Sequence, residues 1–329
     1  MKSAPYIKVR AAAYRNEDIE IESEPPAHFQ LLEPVKAAHV PYQLSKIDIP
    51  DPTSEIDIMH KESPGGVIVS TQPGEHLRTM AVRLIISDID GCISPEESRA
   101  WDGPLFDRFA EACRAASAGT SALAPMTLCT GRPQPYVEAL MKVLDVRYPA
   151  ICEAGAVFYS LKDNRSYYAP SVTPSMIRGL HRVREYIDAE ILPAVPGLVY
   201  QFGKEAQMSL FSERPECFKD ITPRILAYAA TIPDLELTIT PTHYYLNIDL
   251  KGVTKGAAVT GLIEQLGMHR ETVAGIGDTL GDLSIREAVG FFACPANAVP
   301  GLKAVADYVS PYSDVRGMLD IFNRPEMQR

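Results

Sequence analysis

Leu84-Ile85-Ile86-Ser87-Asp88-Ile89-Asp90-Gly91-Cys92-Ile93 is the stretch around which the chain is organised. A short apolar run bounded by turn residues reads as a strand buried on both faces of a parallel sheet. The Asp90-Gly91 pair is a turn signal that ends it. Two carboxylates are thereby left at the strand's carboxyl end, where open α/β sheets gather their ligands. The same residues also suit a strand followed by an Asx turn with both acids solvated, so the chain beyond must decide.

Beyond it, strands and helices alternate. The strand at 83–88 is followed by a predicted helix near 102–117, striped by Trp101, Leu105, Phe106 and Phe109. A second buried strand at 125–129 ends at Thr130-Gly131-Arg132-Pro133, and Pro133 and Pro135 suit the first turn of a helix over 134–145. A third strand at 149–153 meets Glu153-Ala154-Gly155. From about 158 to 249 the rhythm changes to paired short strands (157–160 with 166–169, 198–203 with 207–212), helices near 175–190 and 214–230, and strands near 235–240 and 244–249. Such blocks indicate an antiparallel sheet with helices on one face. The βα rhythm resumes at 254 and runs to a last helix near 314–323. The expected fold class is α/β: a doubly wound parallel sheet carrying an inserted α+β domain. The expected boundaries are 80–157 and 250–329 for the parallel domain and 158–249 for the insertion. Residues 1–79 read as a proline-rich extension, with nine of the 27 prolines and four of the seven histidines in no metal-ligand spacing.

Composition narrows the function classes. Hydrophobic content of 46% over 329 residues is enough for a substantial core. A net charge of −10 and a pI near 5.3 argue against general nucleic-acid binding, which needs a basic face. No run approaches the roughly 18 apolar residues of a membrane helix, and the N-terminus lacks the secretory pattern. The six cysteines contain no CxxC pair and read as reduced thiols, which favours the cytoplasm. Assembly into a homo-oligomer is compatible with all of this.

Three further segments place polar residues at a strand end or a helix start. Thr130-Gly131 offers a hydroxyl and backbone N–H groups to an anion. Lys255-Gly256 puts a cation at a helix N-terminus, against the helix dipole and so poorly placed for stability alone. Gly277-Asp278-Thr279-Leu280-Gly281-Asp282 adds two carboxylates four residues apart. If these ends converge, four acids, Asp88, Asp90, Asp278 and Asp282, surround one point and need a divalent cation among them. Oxygen-only ligation with room for phosphate suits Mg²⁺, and the chemistry reads as phosphoryl transfer to an aspartate nucleophile.

These four segments resemble the motifs of the haloacid dehalogenase (HAD) superfamily, with the insertion between the second and third motifs as in its Cof-type and sucrose-phosphatase-like branch. The resemblance spans about residues 81–322. It implies Asp88 as nucleophile, Asp90 as general acid and base, Thr130 as a phosphate holder and Lys255 as the bridge between nucleophile and phosphate. It also implies Mg²⁺ held by Asp88, Asp278 and the backbone carbonyl of residue 90, with Asp282 in support, and an inserted cap that sets specificity. Gly131 and Arg132 lie beside the phosphate loop, and cap candidates for substrate contact are Lys204, Glu205, Arg214, His243, Tyr245 and Asn247. Lys204-Glu205 also reads plainly as a solvated hairpin tip. Cys92, Ala154 and Gly281 depart from the pattern without removing a reacting group. The expected activity is a Mg²⁺-dependent phosphatase for a small phosphorylated metabolite, a sugar phosphate or small hydroxy acid. The alternatives are a sugar phosphomutase and a phosphate-binding regulatory protein without turnover.

Overall fold

The computed structural model describes residues 81–95, 99–242 and 244–329. The expectations for the N-terminal extension and for His243 fall outside them. In chain order the elements begin with β1 (Leu84–Ser87), α1 (Gly103–Ala118), β2 (Met126–Leu128), α2 (Gln134–Leu144), β3 (Ala150–Cys152), β4 (Val157–Ser160), β5 (Arg165–Tyr168), α3 (Pro174–Tyr186), β6 (Val199–Tyr200) and β7 (Gln207–Phe211). They continue with α4 (Phe218–Ala229), β8 (Leu237–Pro241), β9 (Tyr245–Leu250), α5 (Lys255–Gln265), β10 (Val273–Ile276), α6 (Leu283–Ala288), β11 (Phe291–Cys294), α7 (Pro300–Lys303), β12 (Tyr308–Val309) and α8 (Asp314–Phe322).

Leu84, Ile85 and Ile86 are fully buried, as their unbroken apolar run demands. They sit in a five-stranded sheet of order β12-β11-β10-β1-β2 whose neighbours all pair in parallel. Helices supply the crossovers such a sheet requires. Local chemistry fixes their ends: Asp102 accepts the Leu105 N–H at 3.1 Å at the start of α1, and Gly119 closes that helix at φ +73°.

Three strands depart from the expected pattern. β3 touches the parallel sheet only through a bridge between Cys129 and Ile151, and it pairs antiparallel with β4. The β4–β5 hairpin then extends β3 into its own three-stranded sheet instead of joining the insertion's sheet. The cause is the turn between β3 and β4. Glu153, Ala154 and Gly155 all take positive φ (50°, 55° and 110°), which reverses the chain within three residues and leaves no room for a crossover.

The insertion's sheet has the order β6-β7-β9-β8, antiparallel throughout. Alternation gives it two faces. Met208, Leu210, Leu246 and Ile248 join Leu180, Val183, Ile221 and Ile225 of α3 and α4 in the buried core. The other face carries Gln207 opposite Asp249 and Ser209 opposite Asn247. The molecule is thus a Rossmann-like α/β core with an α+β cap.

Candidate active site

Strand register builds the site. Ser87 pairs with Ile276 on one side and Leu128 on the other, so Asp88, Asp278 and Thr130 leave the sheet at the same edge. The Asp88 N–H donates to the Ile276 carbonyl at 2.9 Å, and the Cys129 N–H donates to that of Ser87 at 2.8 Å. Glycines let the segments close. A Cβ on Gly91, at φ +72°, would stand 2.0 Å from Asp278 Oδ2. One on Gly256 would stand 2.3 Å from the Ser284 carbonyl, so α5 could not approach α6 with any side chain there.

Lys255 is the hub. Its Nζ lies 2.6 Å from Asp88 Oδ2 and 2.7 Å from Asp282 Oδ1. Asp282 is held in turn through its other oxygen, which accepts the N–H groups of Asp278 and Thr279 at 3.0 Å each. Asp88 Oδ1 accepts the Ile89 N–H at 2.7 Å. Ligand oxygens of Asp88, Asp278 and Asp282 all lie within 4.8 Å of one another. Burial, opposed by Lys255 and reinforced by Asp282 and Asp90, pushes the Asp88 carboxyl up to about 7. Asp282 goes the other way: burial raises it, but Lys255 and the two backbone N–H groups outweigh burial and hold it below the usual range. Lys255 is pulled down by burial and pulled up more strongly by Asp282 and Asp88, so its ammonium is retained.

Three buried carboxylates against one ammonium leave excess negative charge among largely desolvated groups. An all-oxygen donor set of this kind, with the Gly91 turn cradling Asp278, fits a hard divalent cation. Three of the four acids read as metal ligands come together. The side chain of the fourth, Asp90, is taken up by Arg132 in a two-pronged pair, Nε to Oδ2 at 2.8 Å and a terminal nitrogen to Oδ1 at 2.6 Å. Arg132 also lies over the Tyr136 ring at 5.2 Å, and the Asp90 hydrogen bonds raise its already high pKa. Thr130 is fully buried, its hydroxyl accepting the Arg132 N–H at 3.1 Å. Gly131, with open space around it, leaves the loop between them uncluttered.

The cap's polar face covers this edge. Glu153, buried in the core's turn, accepts the Glu205 and Ala206 N–H groups at 3.0 and 2.7 Å, tying the β6–β7 loop down. Lys204 in that loop is not a solvated tip. It is 7% exposed, and its ammonium donates to Gln207 Oε1 at 2.9 Å and Ser209 Oγ at 2.7 Å. Burial lowers its pKa to about 8, partly offset by Asp249, Glu153 and Asp90, with Arg132 acting in the same direction as burial. Tyr245 bears electrostatically on Arg132, and Asn247 accepts the Ser209 hydroxyl at 2.7 Å. Glu205 is exposed and lines a cavity of about 320 Å³ beside Gln134 and Tyr168. Arg214 is spent elsewhere, on the Pro196 carbonyl at 2.6 Å. Glu153, Gln207, Ser209 and Asp249 are additions that the sequence reading did not single out. The signal for the last three was polar alternation on strands 207–211 and 245–250, which marks a second face without saying what covers it.

Lys204 carries a pH signature. Its folded pKa lies below its ordinary value of 10.5. Between pH 8 and 10.5 the unfolded chain therefore binds a proton that the folded one does not, and stability rises with pH across that window. Relative to Lys204→Met, the wild type should gain at most about 1.4 kcal/mol per pH unit there, read by denaturant unfolding at pH 7 and pH 10.

Comparison with known proteins follows the same lines. A family model described as haloacid dehalogenase-like hydrolase matches residues 201–322. A phosphoglycolate phosphatase of Methanothermobacter thermautotrophicus is 24% identical over 246 residues, covering 74% of this chain and 98% of that protein. The phosphoglycolate phosphatase of Thermoplasma volcanium is 38% identical over 73 residues, 22% of this chain and 33% of that protein. Among solved structures, the Thermoplasma acidophilum 0175 protein superposes with a TM-score of 0.56 at 22% identity, covering 74% of this chain and 97% of its own. A haloacid dehalogenase-like hydrolase from Bacteroides thetaiotaomicron gives 0.56 at 16% identity, covering 74% and 99%.

Proposed function

We propose that this chain, which is similar to haloacid dehalogenase-like hydrolases and to phosphoglycolate phosphatases, is a phosphatase of the cap-bearing Cof-type branch of that superfamily and hydrolyses a small phosphate monoester with Mg²⁺ through an aspartyl-phosphate. The observation that carries this is Lys255 clamped between Asp88 and Asp282 beside Asp278. In this reading an Asp88 oxygen attacks phosphorus and the bond to the alcohol oxygen breaks. Asp90 gives that oxygen its proton. Water then attacks phosphorus, Asp90 takes the water's proton, and the Asp88–phosphorus bond breaks to release inorganic phosphate. Thr130 and the Gly131 backbone hold the phosphate oxygens, and Lys255 screens the repulsion between them and Asp88. Asp88 and Asp278 would hold the cation, with Asp282 in support. When bound, Mg²⁺ offsets charge on the nucleophile and the phosphoryl oxygens.

The similarity to phosphoglycolate phosphatases supports a small phosphorylated hydroxy acid as substrate, with sugar phosphates next. Free, mostly buried cysteines suit a cytoplasmic enzyme, and among the described residues no helix is long and apolar enough to cross a membrane. A panel of phosphoglycolate and hexose phosphates with MgCl₂ should yield inorganic phosphate. Chelation should lower the rate at least about 100-fold, with recovery on adding Mg²⁺. An isomerised sugar phosphate in place of free phosphate would assign a mutase, and no turnover of any monoester would defeat the phosphatase reading.

A further inference from the structure

Among the described residues, Lys204 is an ammonium without a contact anion. Both of its described partners, Gln207 and Ser209, are neutral acceptors, and it enters none of the ion pairs among the described residues. The nearby acids are held by other donors. Asp249 accepts the Gln207 amide at 2.5 Å, and Glu153 accepts the Glu205 and Ala206 N–H groups. Asp90 is taken by Arg132. A desolvated cation left in this condition destabilises the fold, and a neutral side chain would satisfy Gln207 and Ser209 at less expense. Its direction explains why it is there. The loop bearing it is tied to the core by Glu153, Gly203 packs toward Pro133 with a would-be Cβ at 3.5 Å, and the charges that act on it include Arg132 and Asp90. The ammonium therefore belongs to the polar face of the cap, on a loop fastened to the core and within electrostatic reach of Asp90, the proposed general acid.

We infer that Lys204 binds a carboxylate on the alcohol portion of the substrate, so that the enzyme selects phosphorylated hydroxy acids over phosphate monoesters of the same length whose alcohol portion is uncharged. A sugar hydroxyl would be served by Ser209 and Asn247 without a buried charge, whereas a carboxylate gives the ammonium the contact anion that its neutral partners do not. The loop N–H groups held by Glu153 make that residue a positioning residue for Lys204. This inference rests on the reading of the site as a phosphatase.

The test compares phosphoglycolate with 2-hydroxyethyl phosphate, in which a hydroxymethyl group replaces the carboxylate. Wild-type enzyme should favour the acid in kcat/KM by about 10- to 100-fold, the range of one charge-assisted hydrogen bond. Lys204→Met should lower kcat/KM for phosphoglycolate at least tenfold more than for 2-hydroxyethyl phosphate. A wild-type enzyme that hydrolyses monoesters without favouring the acid overturns the inference and leaves the phosphatase reading standing. An equal loss on both substrates in Lys204→Met also overturns it, since a scaffold role has that signature. The wild-type comparison decides the matter even where the variant does not fold, and failure of the wild type on every monoester sinks the underlying reading instead.

Discussion

Asp88→Asn is expected to release phosphate on the order of 10⁴-fold more slowly than the wild type, the scale of losing a covalent nucleophile. The substitution is nearly isosteric, and the geometry says what survives it. One side-chain oxygen remains to accept the Ile89 N–H, as Oδ1 does at 2.7 Å. Lys255 keeps Asp282 at 2.7 Å, so the clamp loses one of its two anions and not both. The asparagine also removes one of three crowded carboxylates whose desolvation the fold otherwise bears. The variant should accordingly fold and unfold cooperatively while being inactive. Phosphate release measured beside calorimetric unfolding checks both halves. Turnover within tenfold of the wild type in a folded protein would remove Asp88 from the nucleophile's role.

Much of this site is legible in the sequence because parallel strands impose it. Once Leu84–Ser87, Met126–Leu128 and Val273–Ile276 are neighbouring parallel strands, the residues following each one emerge at one edge. The motif spacing then says what arrives there. Lys255 was marked by a local conflict, a cation at the start of α5, and the conflict resolves in two ion pairs of tertiary origin. Legibility stops where the deciding neighbour is far along the chain. Nothing in Lys204-Glu205 announces that Glu153, about 50 residues earlier, fastens that loop and buries the lysine. The β4–β5 hairpin is misplaced for a related reason. Its residues alternate correctly, but the sheet they join is set by three successive positive φ angles in Glu153-Ala154-Gly155, of which only the glycine advertises itself.

Gly91→Ala and Gly119→Ala should separate backbone strain from damage to the site. Both glycines sit in the left-handed region, at φ +72° and +73°. A side chain there costs about 1–2 kcal/mol in either case, so both variants should melt several degrees below the wild type. Their surroundings differ. A Cβ on Gly119 meets nothing within 4 Å, whereas one on Gly91 would fall 2.0 Å from Asp278 Oδ2 and 2.4 Å from its Cγ. Asp278 is 3% exposed and has the Asp282-anchored turn behind it, so its carboxylate cannot withdraw without leaving the triad of acids. Gly91→Ala should therefore raise the Mg²⁺ concentration needed for half-maximal phosphate release by about 10- to 100-fold, with saturating Mg²⁺ recovering part of the rate. Gly119→Ala should leave that midpoint where it is. Equal Mg²⁺ midpoints in the two variants would mean that Asp278 takes no part in holding the cation.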